Sequence, residues 1–167
     1  MNKNVRFTSE TGVAMIEVMI AIIVVSFGLL GVAGLQLAGL KNSQTAYLRS
    51  TATSQAYDMA DRMRANLEGV RAGKYDAISS VIPTAPSCSS PFSATGGCSS
   101  SEMATYDAYV WLTNNGALLP GGSGKVEIVP NSNRFNISVT WSEKCQAGEA
   151  SCTSGSIPRT FSTQVSP

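Results

Sequence analysis

The stretch GVAMIEVMIAIIVVSFGLLGVAGLQLAGL, residues 12–40, decides the fold of this chain. Residues 18–40 carry no charged side chain and are mostly apolar. As a helix, a segment of this length would cross the roughly 30 Å hydrocarbon core of a bilayer. We therefore predict a membrane-spanning helix over residues 13–40. A carboxylate, Glu17, lies just inside its apolar part.

The leader before this stretch, residues 1–12, is polar and weakly basic, with Lys3 and Arg6. A cleaved secretory signal would have a shorter apolar run that ends at a small-residue cleavage site, whereas here the helical pattern continues. We interpret the apolar run as a retained anchor. Because Lys3 and Arg6 favour the cytoplasmic side, the rest of the chain is predicted to lie outside.

The composition argues against several classes of function. The chain has 12 basic and 11 acidic residues and no basic run, so we expect no nucleic-acid partner. It has no histidine, which removes the commonest general base and metal ligand. No catalytic motif such as GxSxG, a P-loop or HExxH is present. We therefore expect no enzyme, no cofactor and no metal, and we interpret Asp76, Asp107 and Glu127 as surface residues.

The four cysteines all follow the apolar stretch, as expected for disulfides in an oxidising compartment. Three pairings are open to four cysteines. We favour the two local ones, Cys88–Cys98 and Cys145–Cys152, because each closes a loop rich in small residues. Free thiols or a zinc site are the alternative, but neither spacing resembles a CxxC pair.

Residues 41–68 are predicted to continue the helix with one apolar face. The apolar positions recur at three- and four-residue spacing: Leu48, Ala52, Ala56, Met59, Ala60, Met63 and Leu67. Opposite charges at Asp58–Arg62 and Asp61–Arg64 are expected to pair on the other side. Gly69 is a suitable helix stop.

The rest, residues 69–167, is predicted to form a globular head. A loop region with a short element in Tyr75–Ile82 covers residues 69–101. A second helix is predicted from Glu102 to Asn115, ending before Gly116, with Trp111 in the core. Tyr106 and Tyr109 could instead form an adhesive patch with Trp111, although core positions are favoured.

Alternation of apolar and polar residues predicts strands around Val126–Ile128 and Phe135–Trp141, joined by a turn at residues 130–133. Residues 159–165 are predicted as a third strand. An antiparallel sheet packed on the long helix is an α+β fold.

The N-terminal segment also resembles a known protein family. Gly12, followed by Ile16 and Glu17 and an apolar helix, resembles the class III prepilin signature of type IV pilins and their relatives. Val13 and Ala14 stand where that family usually has Phe and Thr. The segment 17–36 and the run DRMRAN at residues 61–66 resemble minor pilins of the PilV type.

The resemblance implies a specific maturation and a set of partners. Prepilin peptidase would cut after Gly12, Val13 would become the N-methylated first residue, and Glu17 would be the fifth. The other implied partners are minor pilins, the major pilin and the assembly platform of the inner membrane. The protein would wait in that membrane with a periplasmic head before it joins the pilus, where it would affect assembly initiation and adhesion or motility.

Glu17 is expected to guide assembly. A carboxylate in an apolar helix is unfavourable without a partner and marks a functional position. After cleavage, the new amine of Val13 could pair with Glu17 of a neighbouring copy and set the axial stagger of the subunits. The alternative is that Glu17 reaches back to the cytoplasmic interface.

Other interpretations remain open. Gly28, Gly31 and Gly34 either permit close packing or allow the helix to unwind locally in a fibre. A pseudopilin of a type II secretion system would share the signature and the helix. A membrane-anchored periplasmic enzyme and a simple single-span protein are further alternatives.

Overall fold

The computed structural model describes residues 11–88, 97–145, 152 and 155–167, and only the backbone for residues 11–14. Residues 1–10 of the predicted leader lie outside the described residues, as do parts of the two predicted cysteine loops. The chain divides into two compact units, residues 1–44 and 45–167, which we describe separately.

One helix dominates the first unit and continues into the second. Helix α1 runs from Thr11 to Ala65. No proline interrupts residues 13–68, so that every backbone N–H in this stretch can join the helical hydrogen bonds. Among the described residues, α1 is the helix long and apolar enough to span a bilayer, judged by length and composition.

In the second unit, the C-terminal part of α1 contributes its apolar face to the core. The buried residues on this face, each less than a tenth exposed, are Leu48, Ala52, Ala56, Met59, Ala60 and Met63. Leu67 was expected on the same face but is 40% exposed. It belongs to a separate short helix, α2 (Leu67–Arg71), and so does not continue the stripe of α1.

The end of α1 differs from the prediction of a stop at Gly69. The helix ends at Ala65 because Asn66 leaves helical geometry, with φ −120° and ψ 57°, and caps α2. The side chain of Asn66 accepts a hydrogen bond from the backbone N–H of Gly69, which lies inside α2.

Helix α3 runs from Ser100 to Leu118, longer at both ends than predicted. At its start, Ser99 and Glu102 form a capping box, which satisfies two backbone N–H groups of the first turn. At its end, α3 passes through Gly116, and the chain becomes extended at Leu119. Gly116 therefore does not stop the helix.

The sheet has four antiparallel strands in the order β1-β2-β3-β4. These strands are β1 (Ala77–Ile78), β2 (Ser123–Ile128), β3 (Phe135–Lys144) and β4 (Ser156–Val165). The short element expected in Tyr75–Ile82 is β1, which adds an edge to the three predicted strands. The predicted turn between β2 and β3 is confirmed, and Asn131 adopts φ 58°, which asparagine tolerates better than most residues.

Long-range contacts close the core of the second unit. Trp111 on α3 is fully buried, and its indole N–H donates to the carbonyl of Gln55 on α1 at 2.8 Å. Gly124 on β2 lies directly against the Trp111 ring, leaving no room for a Cβ. The predicted α+β class and the core position of Trp111 are confirmed.

Candidate assembly site

The N-terminal half of α1 presents a continuous apolar surface. Every large apolar side chain between Met15 and Leu40 is between 51% and 75% exposed. Soluble monomers rarely expose apolar patches of this extent, and fully burying one such side chain is worth about 1.5–3 kcal/mol. This half of α1 is therefore built to be covered by lipid or by other helices.

Glu17 is an exposed carboxylate within this apolar surface. Among the described residues, no basic side chain forms an ion pair with it. The backbone of Val13 lies one helical turn before it, whereas the side chain of Val13 is not described. Gly12 also lies in α1. The chain thus places Glu17 next to the predicted cleavage position.

The helix is unbroken at Gly28, Gly31 and Gly34, and a Cβ added at any of the three would meet open space. Close approach of another element within the single chain therefore does not explain these glycines. Their predicted unwinding concerns a fibre and stays a prediction.

A partly buried polar cluster, which we call the joint cluster, holds the end of α1 against α3. It consists of Asp58, Arg62, Asn66, Tyr75 and Asp107. Arg62 donates to Asp58 at 2.9 Å and to Asp107 at 3.3 Å. Tyr75 donates its hydroxyl proton to Asp107 at 2.6 Å. The cluster thereby joins residues that are far apart in the sequence.

Asn66 connects the joint cluster to the backbone. Its side-chain amide donates to the Tyr75 hydroxyl at 3.0 Å and to the carbonyl of Ser100 at 2.8 Å. Together with the cap on α2, these bonds use both ends of the amide. The run DRMRAN therefore has identifiable structural roles: Arg62 and Asn66 belong to the joint cluster, and Met63 is fully buried.

The environment of the joint cluster shifts two pKa values. Burial and the hydrogen bond to Asp107 raise the pKa of Tyr75, so that the phenol stays protonated and keeps donating. Burial by itself lowers the pKa of Arg62, but hydrogen bonds and charge from Asp58 and Asp107 outweigh it and raise that pKa. The cluster therefore keeps the same protonation at those two groups around neutral pH.

The interpretation of Asp107 as a surface residue was wrong. Asp107 is only 5% exposed, because it lies on the face of α3 that also carries Ala104, Ala108 and Trp111. A carboxylate at helical spacing among these apolar residues was the available signal. The surface interpretation holds for Glu127, which is exposed, and Asp76 is half-buried.

The predicted cysteine pairs and ion pairs each join residues that lie close together in the sequence. Disulfides join Cys88 to Cys98, with Cα atoms 5.3 Å apart, and Cys145 to Cys152, with Cα atoms 6.0 Å apart. These are the local pairings that the loop composition favours. The predicted ion pairs of Asp58 with Arg62 and Asp61 with Arg64 are confirmed, at 2.9 Å and 2.7 Å.

The aromatic residues of α3 do not form one surface. Tyr106 and Tyr109 are half-buried, whereas Trp111 is fully buried. Within the described part of the chain, no group of three or more potential ligands could hold a metal ion. The described geometry offers surfaces for packing and for charge pairing.

Comparison with known proteins adds one finding. Residues 34–109, a little under half of the chain, match the family model described as Tt1218-like, type IV pilin Tt1218. No curated protein and no solved structure matches the chain significantly. The matched segment begins in the apolar half of α1, ends in α3 and contains all five residues of the joint cluster. Over these residues the chain is therefore similar to a type IV pilin, and the long apolar helix and the antiparallel sheet are consistent with that similarity.

Proposed function

We propose that the chain is a type IV pilin and, within that family, a minor pilin of the PilV type. It would be held in the inner membrane with a periplasmic head until prepilin peptidase cuts after Gly12 and methylates Val13. It would then pass through the assembly platform and join other minor pilins and the major pilin, initiating or capping the fibre and affecting adhesion or motility. The observation that carries this proposal is Glu17 in an exposed apolar helix, without an ion-pair partner among the described residues.

The exposed apolar side chains of α1 suit two environments that the protein would occupy in turn. In the membrane, lipid covers the side chains of Met15–Leu40, and in a fibre the corresponding helices of other subunits would cover them. Lipid tails and apolar side chains are similarly apolar environments. Transfer of most of this surface from the membrane to a fibre therefore changes its free energy little. The charged groups would then decide how the subunits align.

Cleavage after Gly12 would create the missing cation. The new amine at Val13 would lie one turn from Glu17 of its own chain and could reach Glu17 of a neighbour after a small axial shift. In an apolar environment, a pair of opposite charges has a much more favourable free energy than the same two charges left unpaired. Such pairing would favour one stagger between neighbouring subunits over all others.

The direct test combines mass spectrometry with a substitution. We expect the mature chain to begin with methylated Val13. We expect Glu17→Gln to be inserted and cleaved normally but to enter pili at least about tenfold less, which corresponds to 1.4 kcal/mol. Gln36→Leu removes an uncharged polar side chain from the same exposed helix and is the matched control, with normal incorporation expected.

Two outcomes would contradict the proposal. An intact leader on the mature protein would exclude pilin processing, and normal incorporation of Glu17→Gln would exclude the charge-pairing step. Deleting the gene and measuring both surface pili and secreted protein separates a pilus role from a role in type II secretion: loss of secretion with normal pili would favour the pseudopilin.

A further inference from the structure

The two edges of the sheet differ in how they are protected against pairing with another strand. Short edge strands and edge charges are common forms of protection. The edge strand β1 is short, with two residues, whereas the edge strand β4 has ten. Residues 160–167, which include the second half of β4, carry no charged side chain. The edge of β4 is therefore long and uncharged over this half.

The ladder between β3 and β4 fixes which backbone groups of β4 face this edge. Next to the last register pair, the N–H of Cys145 donates to the carbonyl of Gly155 at 3.2 Å, so odd-numbered residues of β3 bond to β4. On the other side of β3, the N–H of Ser142 donates to the carbonyl of Pro120 at 2.7 Å. The register joins odd-numbered residues to odd-numbered residues. Even-numbered residues of β4 therefore turn their N–H and C=O groups toward the open edge.

Three of these residues offer both a donor and an acceptor at the edge. They are Thr160, Ser162 and Gln164, whereas Pro158 has no N–H. Among the described residues, no hydrogen bond reaches their outward backbone groups. The three side chains are exposed on the solvent face of the sheet, while Phe161 between them packs against the core. This row of backbone groups is therefore ready to bond to another extended strand.

We propose that this edge pairs in antiparallel fashion with the same edge of a second copy of the chain. In the symmetric register, Ser162 lies opposite Ser162 of the partner subunit, and Thr160 lies opposite Gln164 of the partner subunit. The three outward pairs would each exchange two N–H···O=C hydrogen bonds, about six in all, because each pair is of the hydrogen-bonded type. The two sheets would then become one continuous sheet.

The side chains of β4 suit this pairing. On the solvent face, it brings together only hydroxyl and amide side chains, so no like charges lie opposite one another. On the core face, the half-buried Phe161 would lie beside Thr163 of the partner subunit, a favourable aromatic and β-branched neighbour. A second copy also brings the same unpaired edge, so one two-fold contact satisfies both edges and closes on itself.

The size of the contact indicates where it forms. One strand pair is smaller than the interface of a stable soluble dimer. Anchoring by α1 in one membrane raises the local concentration of the copies and favours weak pairing. Because a two-fold pair does not propagate into a filament, we assign it to subunits that are anchored in the membrane. The pairing itself does not depend on the proposed role as a minor pilin.

Cross-linking of the full chain in detergent micelles tests the register. The native cysteines are in disulfides, so Ser162→Cys supplies the reactive thiol. A bifunctional thiol reagent that spans about 5 Å matches the separation of a hydrogen-bonded pair. Lys125→Cys is the matched control, because Lys125 lies in the same row of the sheet on β2 and is 54% exposed. Its counterpart in the pair would be five strand spacings away, about 24 Å. We expect at least about tenfold more covalent dimer from Ser162→Cys.

Paired charge variants, made together with Ser162→Cys, test the antiparallel direction. Thr160→Glu with Gln164→Glu puts like charges opposite one another twice and should lower the dimer yield at least about fivefold. Thr160→Lys with Gln164→Glu puts opposite charges there and should restore the yield. Both variants lose the same hydroxyl contact of Thr160 with Thr140, so they are matched for that loss. No dimer, equal yields from Ser162→Cys and Lys125→Cys, or equal effects of the two charge variants would each overturn the proposal.

Two further outcomes separate the alternatives. If Ser162→Cys forms no dimer by itself but cross-links to a different subunit in intact pili, the edge binds another chain and self-pairing is wrong. If the dimer forms as expected while the mature protein keeps its leader, self-pairing stands and the proposed pilin processing fails. Pairing in micelles requires neither cleavage nor a fibre, so the two failures are distinguishable.

Discussion

Replacing Asp107 by alanine should destabilise the second unit of the chain by about 3 kcal/mol. Asp107 accepts one hydrogen bond from Tyr75 and one from Arg62. Tyr75 is fully buried and would lose its only acceptor in the joint cluster, which costs about 2 kcal/mol. Arg62 is 25% exposed and keeps Asp58, so its loss is smaller, about 1 kcal/mol.

Urea unfolding of the full chain in detergent, followed by near-ultraviolet circular dichroism of the buried tryptophans, measures this change. Asp61→Ala is the matched control, because Asp61 is also paired with an arginine but is 73% exposed. We expect the control to lose less than about 0.5 kcal/mol. If Asp107→Ala lowers the free energy of unfolding no more than Asp61→Ala does, the joint cluster does not stabilise the second unit.

A double-mutant cycle tests the cause of the loss. Tyr75→Phe removes the hydroxyl that donates to Asp107 and accepts from Asn66. If the Tyr75–Asp107 bond carries the effect, the two substitutions together should cost about 1–2 kcal/mol less than the sum of the single ones. Strictly additive costs would show that the two residues act independently and would refute the proposed network.

Two further predictions concern α3 and its neighbours. Gly124→Ala should destabilise the head by about 1–3 kcal/mol because a Cβ would overlap the Trp111 ring. Gly116→Ala, in an exposed helical position, should stabilise the head by up to about 1 kcal/mol. Thermal unfolding of both variants checks this contrast, and equal effects would contradict it. Hydrogen bonds from the Ser99 hydroxyl and backbone N–H lower the pKa of Glu102 in the folded state below its usual 4.5. The ionised Glu102 side chain therefore stabilises the fold above pH 4.5, and this stabilisation is lost as the pH falls through the folded-state pKa. The difference in melting temperature between the wild type and Glu102→Gln should therefore vanish in acid, and a difference that persists at pH 2 would contradict this cause.

Features that depend on near neighbours in the chain could be predicted from the sequence. Uninterrupted apolar residues and the absence of proline indicated the long helix, and apolar spacing indicated the buried face from Leu48 to Met63. Alternation in β3 matched its burial pattern, in which every second residue is buried. Short cysteine spacings favoured the two local disulfides. Each of these rests on a period or a short loop, which is visible within a window of ten to twenty residues.

Helix ends were less predictable because they depend on capping side chains and on what those side chains contact. Asn66 ends α1 before Gly69, since its amide binds both Tyr75 and the carbonyl of Ser100 on α3. In the same way, α3 continues through Gly116 because a single exposed glycine costs only about 1 kcal/mol in a helix.

By itself, then, the sequence determined the apolar helix with its one carboxylate, the resemblance at Gly12 and the α+β order of elements. Only the tertiary structure decided that Asp107 is buried, since its partner Arg62 is 45 residues away. Only the tertiary structure placed Arg49 beside Arg159 and Trp141 in one pocket. The physical reason is that burial and charge pairing between distant segments depend on how elements pack, and no local period records that packing.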